Sequence, residues 1–263
     1  MLKTGLVSVT FRKMKPASIV DLVAHAGLDA IEWGGDVHVP HGEVLTARAV
    51  HQMTLDAGLS TPSYGSYYRV GHPASASFAA VIETAVALGT PVIRVWAGMR
   101  GSQEANEAYR QSVVEDSRRI ADEAEKAGLV IAYEFHANTL TDTYASALDL
   151  LHAVAHDDVR TYWQPPAGAS IQENVTGIKR LQPWLANIHV TGTRLVDAKS
   201  ERHPLSKMED AWTRYLRVIS HSDRDHYALL EFVRGDTPEQ FLEDAESLKQ
   251  WVEPYHPKLP LVP

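Results

Sequence analysis

The chain alternates between two textures: short apolar runs that end in polar loops, and longer stretches whose apolar positions recur at helical spacing. The first run is LVSVTF (6–11), and the stretch 16–26 reads as its helix, with Pro16 near the first position and Gly27 as the stop. AGLDAIEW supplies a second strand up to Glu32 and Trp33. Its loop (34–43) carries Asp36, His38 and His41 ahead of a helix that ends at Ala57-Gly58. LSTPSYG (59–65) is expected as the third strand and 78–88 as the third helix, closed by Gly89. PVIRVWAG (91–98) follows as a strand, then a charged helix over 104–127 with Gly128 as its cap. The scheme then repeats. Residues 129–135 form a strand and 144–154 its helix, and VRTYWQ (159–164) is a strand ended by Pro165-Pro166. Residues 187–190 close a seventh strand with a helix over 208–219. HYALLEFV (226–233) is the eighth, and Thr237-Pro238-Glu239-Gln240 opens the last helix as a capping box.

Strands that alternate with helices form a parallel sheet, and eight such units in one domain-sized chain imply an α/β fold, a single-domain (β/α)8 TIM barrel over residues 1–253. The open doubly wound sheet is the weaker alternative, because no Gly-x-Gly-x-x-Gly turn follows an early strand. Residues 254–263 hold four prolines and read as a tail that lies over the surface or reaches a neighbouring subunit of a homo-oligomer.

Composition narrows the function. An apolar fraction of 44% over 263 residues supports a large core. A net charge of −8 argues against a nucleic-acid partner, which favours a basic face. Cysteine is absent, which excludes disulfides and thiolate chemistry. The first residues lack the apolar core of a signal peptide, and no run is long enough to span a membrane, so a soluble, cytoplasmic protein is the expectation.

The stretch LVIAYEFHANTLTD (129–142) carries the strongest chemical signal. It is an apolar, β-prone run that ends in Glu134, with His136 two residues on. A buried carboxylate needs a partner or a proton. In a barrel, the C-terminal strand ends share one mouth. Those ends supply Glu32, Tyr64, Arg94, Trp96, Glu134, His136, Gln164, His189 and Glu231. Glu134, Gln164, His189 and Glu231 are oxygen or nitrogen donors able to share one divalent ion, Mn²⁺, Mg²⁺, Co²⁺ or Zn²⁺.

These positions resemble the sugar phosphate isomerase/epimerase superfamily of xylose-isomerase-like TIM barrels. The resemblance covers nearly the whole chain. Its specific parts are Glu134 in YEFH, His189 in NIHVTGT and Glu231 in LLEF. It implies that these three are metal ligands and that the two glutamates form the proton-transfer pair. The family's fourth ligand is an Asp at the end of strand six, with His three residues later. Here the sequence reads Gln164-Pro165-Pro166-Ala167, so both are missing and the shell has one negative charge fewer.

Around this set, His38, Tyr64, Arg94, Trp96, His136 and Arg194 are expected to bind substrate. Each also has a structural reading: Arg94 as an ion pair with Glu32, His136 as support for Glu134, the aromatics as caps on the barrel core. The leading expectation is a sugar or polyol isomerase or epimerase that works through a metal-stabilised enediolate. One alternative is a lyase of the inosose or dehydroshikimate dehydratase kind on the same barrel. The other is a metal-free sugar-binding or regulatory barrel.

Overall fold

The computed structural model describes residues 1–72, 77–196 and 199–255. Eight parallel strands carry the fold: β1 (Leu2–Val7), β2 (Ala30–Gly34), β3 (Tyr64–Arg69), β4 (Val92–Trp96), β5 (Val130–Tyr133), β6 (Val159–Trp163), β7 (Leu185–Val190) and β10 (His226–Leu230). They close in the order β1-β10-β7-β6-β5-β4-β3-β2. The antiparallel hairpin β8 (Thr193–Val196) and β9 (Lys199–Arg202) rises from the loop after β7. Around the barrel run α1 (Pro16–His25), α2 (Val44–Asp56), α3 (Phe78–Leu88), α4 (Glu107–Glu125), α5 (Tyr144–Val154), α6 (Ile171–Leu181), α7 (Glu209–Ile219) and α8 (Pro238–Val252). The architecture is the single barrel that the alternation implied. No helix among the described residues is long and apolar enough to cross a membrane.

Strand periodicity divides the core in two. The large cluster, with Leu6, Ile131, Tyr133, Trp163, Ala228 and Leu230, belongs to the strand faces that meet the helices. The small cluster of Val7, Val9, Ala132, Tyr162 and Leu229 takes the alternate positions and fills the lumen. Gly5 is required where β1 pairs with β2, since a Cβ there would sit 2.6 Å from the Ala30 carbonyl oxygen.

Several boundaries differ from the sequence reading. β1 spans Leu2–Val7, and Ser8–Phe11 turn into a 3-10 segment. The hydroxyls there are spent on loop bonds: Ser8 accepts from the Gly34 amide at 2.9 Å and Thr10 from the Phe232 amide at 3.1 Å. β3 begins at Tyr64 rather than near Leu59, because Pro62 has no N–H to offer a ladder. α4 is shorter than 104–127, since Asn106 caps it by accepting from the Tyr109 amide at 2.9 Å. α6 was not anticipated. Ser170 and Glu173 form its capping box, and Gly177 leaves room for the Tyr144 ring. At α8 half of the expected box forms: Thr237 accepts from the Gln240 amide, while the Gln240 side chain turns to Glu243 and Asp244. Of the proline-rich tail, Pro254 and Tyr255 belong to a 3-10 turn, and residues 256–263 lie outside the described residues.

Candidate metal centre and active site

The alternation that buries Ala132, Tyr162 and Leu229 in the lumen puts the residues two positions on, Glu134, Gln164 and Glu231, over that apolar floor. Glu134 and Glu231 each follow the last residue of their strand and still join the ladder. Their amides donate to the carbonyls of Val95 and Val190, both at 2.9 Å. His189 stands within β7, paired in register with Leu229.

One atom from each of Glu134, His189 and Glu231 lies within 4.8 Å of the others, and all three residues are buried. His189 Nδ1 is 3.4 Å from Glu231 Oε2 and 3.8 Å from Glu134 Oε1, and its Nε2 is 3.5 Å from Glu32 Oε1. Neither ring nitrogen has a hydrogen-bond partner. Arg94 is fully enclosed and bridges two carboxylates. Its Nε donates to Glu32 Oε1 at 2.7 Å and its Nη1 to Glu134 Oε2, which also accepts from Trp96 Nε1. Glu32 accepts a further bond from Ser63 Oγ at 2.6 Å. Gly65 makes the crossing possible, because a Cβ there would stand 2.5 Å from Arg94 Nη2.

The charges support one another. Burial opposes the Arg94 charge, but Glu134 and Glu32 outweigh it and hold the guanidinium well above its usual range. Burial would protonate Glu32, yet Arg94 and His189 bring its carboxyl far below the ordinary value. Glu231 is lowered in the same way, with burial overcome by His189 and then Arg94. For His189 burial disfavours the cation, but Glu231 and Glu32 lift the imidazole to about 10.

A divalent ion fits this centre. With His189 neutral, the carboxylates of Glu32, Glu134 and Glu231 against one guanidinium leave two negative charges, the complement of a divalent cation. The unbonded Nδ1 of His189 faces two carboxylate oxygens, while Nε2 faces Glu32, the carboxylate–histidine arrangement that orients a metal-bound imidazole. Gln164 donates its amide N–H to the Phe135 carbonyl at 2.6 Å, which leaves the amide oxygen as the remaining candidate donor.

The other expected site residues divide. Trp96 and His136 belong with the cluster: their rings stack at 4.4 Å, and Arg69 lies 3.9 Å from the centre of the Trp96 ring. His136 Nδ1 sits 2.6 Å from the Ala137 carbonyl, which can only accept, so in the neutral ring Nε2 is the free acceptor. His38 is buried against Trp33 with Nδ1 3.0 Å from Ser8 Oγ. Tyr64 is enclosed and donates to the Val39 carbonyl at 2.6 Å. Arg194 is exposed and donates to the Lys207 carbonyl at 2.6 Å. Hydrogen bonds therefore tie these last three to loop and core structure.

Two features escaped the sequence reading. Glu32 supports His189 as well as Arg94, and Tyr67 lies beneath the Arg94 guanidinium at 5.1 Å. Tyr67 and Phe232 also have positive φ, 55° and 56°. Such conformations cost on the order of 1–3 kcal/mol each and gather at functional sites. A polar Glu32 amid the apolar positions of β2 was the available signal.

Comparisons with known proteins agree with this architecture. A family model described as xylose isomerase-like TIM barrel matches residues 20–251. A 3-dehydroshikimate dehydratase of Bacillus anthracis is 26% identical over 88% of this chain and 91% of its own length. Among solved structures, a probable 3-DHS dehydratase of the same organism superposes with a TM-score of 0.76 at 21% identity, covering 95% of this chain and 99% of that one. A D-psicose 3-epimerase gives 0.70 at 17% identity over 95% and 98%. The IOLI protein, solved with a zinc atom, gives 0.72 at 16% over 97% and 99%.

Proposed function

The chain belongs to the xylose isomerase-like TIM barrel family, and from that premise we propose that it is a metal-dependent lyase that removes water from a small cyclic polyhydroxy ketone. The observation that carries the reading is the convergence of two buried carboxylates and an imidazole within 4.8 Å on an apolar floor. The substrate class follows from the 26% identity with a 3-dehydroshikimate dehydratase over most of both chains.

Elimination of a β-hydroxyl starts with loss of the proton α to the carbonyl. Glu134, His189 and Glu231, with the Gln164 oxygen as a further donor, would hold a divalent ion, which would supply Lewis acidity toward that carbonyl. One carboxylate of the Glu134–Glu231 pair accepts the α proton. That proton passes through the other to the departing β-hydroxyl, so the elements of water leave and a carbon–carbon double bond forms. Each such acid–base role is worth roughly 10²–10⁴-fold. Arg94 and Trp96 fix Glu134 through its Oε2 and leave Oε1 for the chemistry. Trp96 and His136 form a flat wall beside the carboxylates, suited to one face of a ring.

The isomerisation or epimerisation expected from the sequence shares the first proton transfer. The dehydratase relative favours elimination as the second step. The convergence of the donors weighs against the metal-free binding barrel. The test is to incubate the Mn²⁺-loaded protein with 3-dehydroshikimate and follow ultraviolet absorption. A dihydroxybenzoate product, the substrate less one water, is expected. A substrate that exchanges its α proton with solvent deuterium but never loses water would return the isomerase reading.

A further inference from the structure

At the opposite end of the barrel, the N-terminal strand ends line an open cleft of about 450 Å³, within the range of small-molecule sites. We propose that this N-terminal mouth binds a small organic carboxylate with a flat apolar body, at a site separate from the catalytic mouth. Strands of this length rise about 15 Å, so the two mouths are distinct.

The charged groups on the cavity wall are the first argument. Arg160, the second residue of β6, and Arg224, in the loop before β10, both line it. Arg160 Nη1 makes a long 3.4 Å contact with the Val159 carbonyl, and Arg224 Nη1 donates to the Pro183 carbonyl at 2.9 Å. Among the described residues neither forms an ion pair with a carboxylate. Burial and the neighbouring Arg224 both work against the Arg160 charge, and Asp158 and Asp157 offset them only in part. The carboxylate on the wall, Asp225, is engaged with the terminal amine of Met1 at 2.8 Å. Two guanidinium groups that repel each other and form no ion pair among the described residues make a receptor for an anion, and their planar forks match a carboxylate.

The rest of the wall sets the body of the ligand. Leu55, Pro91, Val92, Val130 and Leu185 give an apolar surface, and the Tyr227 ring adds a flat face. Thr61, on the same wall, is 8% exposed and its hydroxyl has no hydrogen-bond partner.

Calorimetric titration of the full chain with benzoate tests the proposal, with inorganic phosphate as the anion that lacks an apolar body. Saturable one-to-one binding of benzoate is expected, with phosphate weaker. Arg160→Gln and Arg224→Gln should each weaken benzoate by about tenfold or more, the scale of one charged hydrogen bond. Circular dichroism of both variants should match the parent. Absence of saturable binding, phosphate as tight as benzoate, or unchanged benzoate affinity in both folded variants would each overturn the proposal.

Discussion

His189 turns Nε2 to within 3.5 Å of the Glu32 carboxylate. Glu32 is fully enclosed and also accepts from Arg94 and Ser63. The imidazole is thus oriented from behind, with Nδ1 left for the oxygens of Glu134 and Glu231.

Glu32→Gln should therefore weaken metal binding without touching a proposed ligand. Loss of a carboxylate that orients a ligating histidine costs about 10–100-fold in affinity. Calorimetric titration with Mn²⁺ reads this directly, and an affinity equal to that of the parent would remove Glu32 from the account.

Arg94→Met leaves Glu32 and Glu134 buried beside each other without their guanidinium. Removing one partner of a buried pair costs about 3–5 kcal/mol. Urea unfolding of the metal-free protein should show a loss on that scale. A loss below about 1 kcal/mol, the level of exposed pairs, would mean that water reaches the carboxylates.

Gln164→Asp restores a charged donor. Mn²⁺ affinity should rise by on the order of tenfold, since ligand charge tunes the binding of hard cations. The hydrogen bond to the Phe135 carbonyl would be lost, and with it about 1–3 kcal/mol of metal-free stability. Weaker binding in this variant would place Gln164 outside the metal's reach.

His226 is buried, with Nδ1 2.6 Å from the Ala186 carbonyl, and burial pushes its pKa below the ordinary 6.5. The unfolded chain takes up this proton first. The stability contribution is complete above about pH 6.5 and declines as pH falls from there toward the depressed folded value. Urea unfolding between about pH 7.5 and 5 should show this decline, shallower in His226→Gln. His38, also lowered by burial, keeps the variant's slope from vanishing. Equal slopes in parent and variant would contradict the assignment.

Much of this was legible from the residues. Glu134, His189 and Glu231 share a strand-end phase, and a barrel brings that phase to one place; α3 and α5 run over the stretches read for them. The Glu32–Arg94 pair could be anticipated because each is a charge inside an apolar strand. The remainder depends on contacts between distant segments. β1 runs earlier because its hydroxyl-rich continuation is claimed by Gly34 at the end of β2 and by Phe232 just after β10. α6 was hidden by polar composition and by Gly177, whose reason is the Tyr144 ring on the preceding helix. Arg160 looks like a solvated charge until β6 and the loop before β10 bring it near Arg224.

The most direct measurement is turnover of 3-dehydroshikimate by Glu134→Gln and Glu231→Gln, with α-proton exchange into deuterated water followed in parallel. Both variants should bind substrate yet lose roughly 10²–10⁴-fold in dehydration and exchange together. Parent-like exchange and turnover in both would contradict the claim that these two carboxylates move the protons.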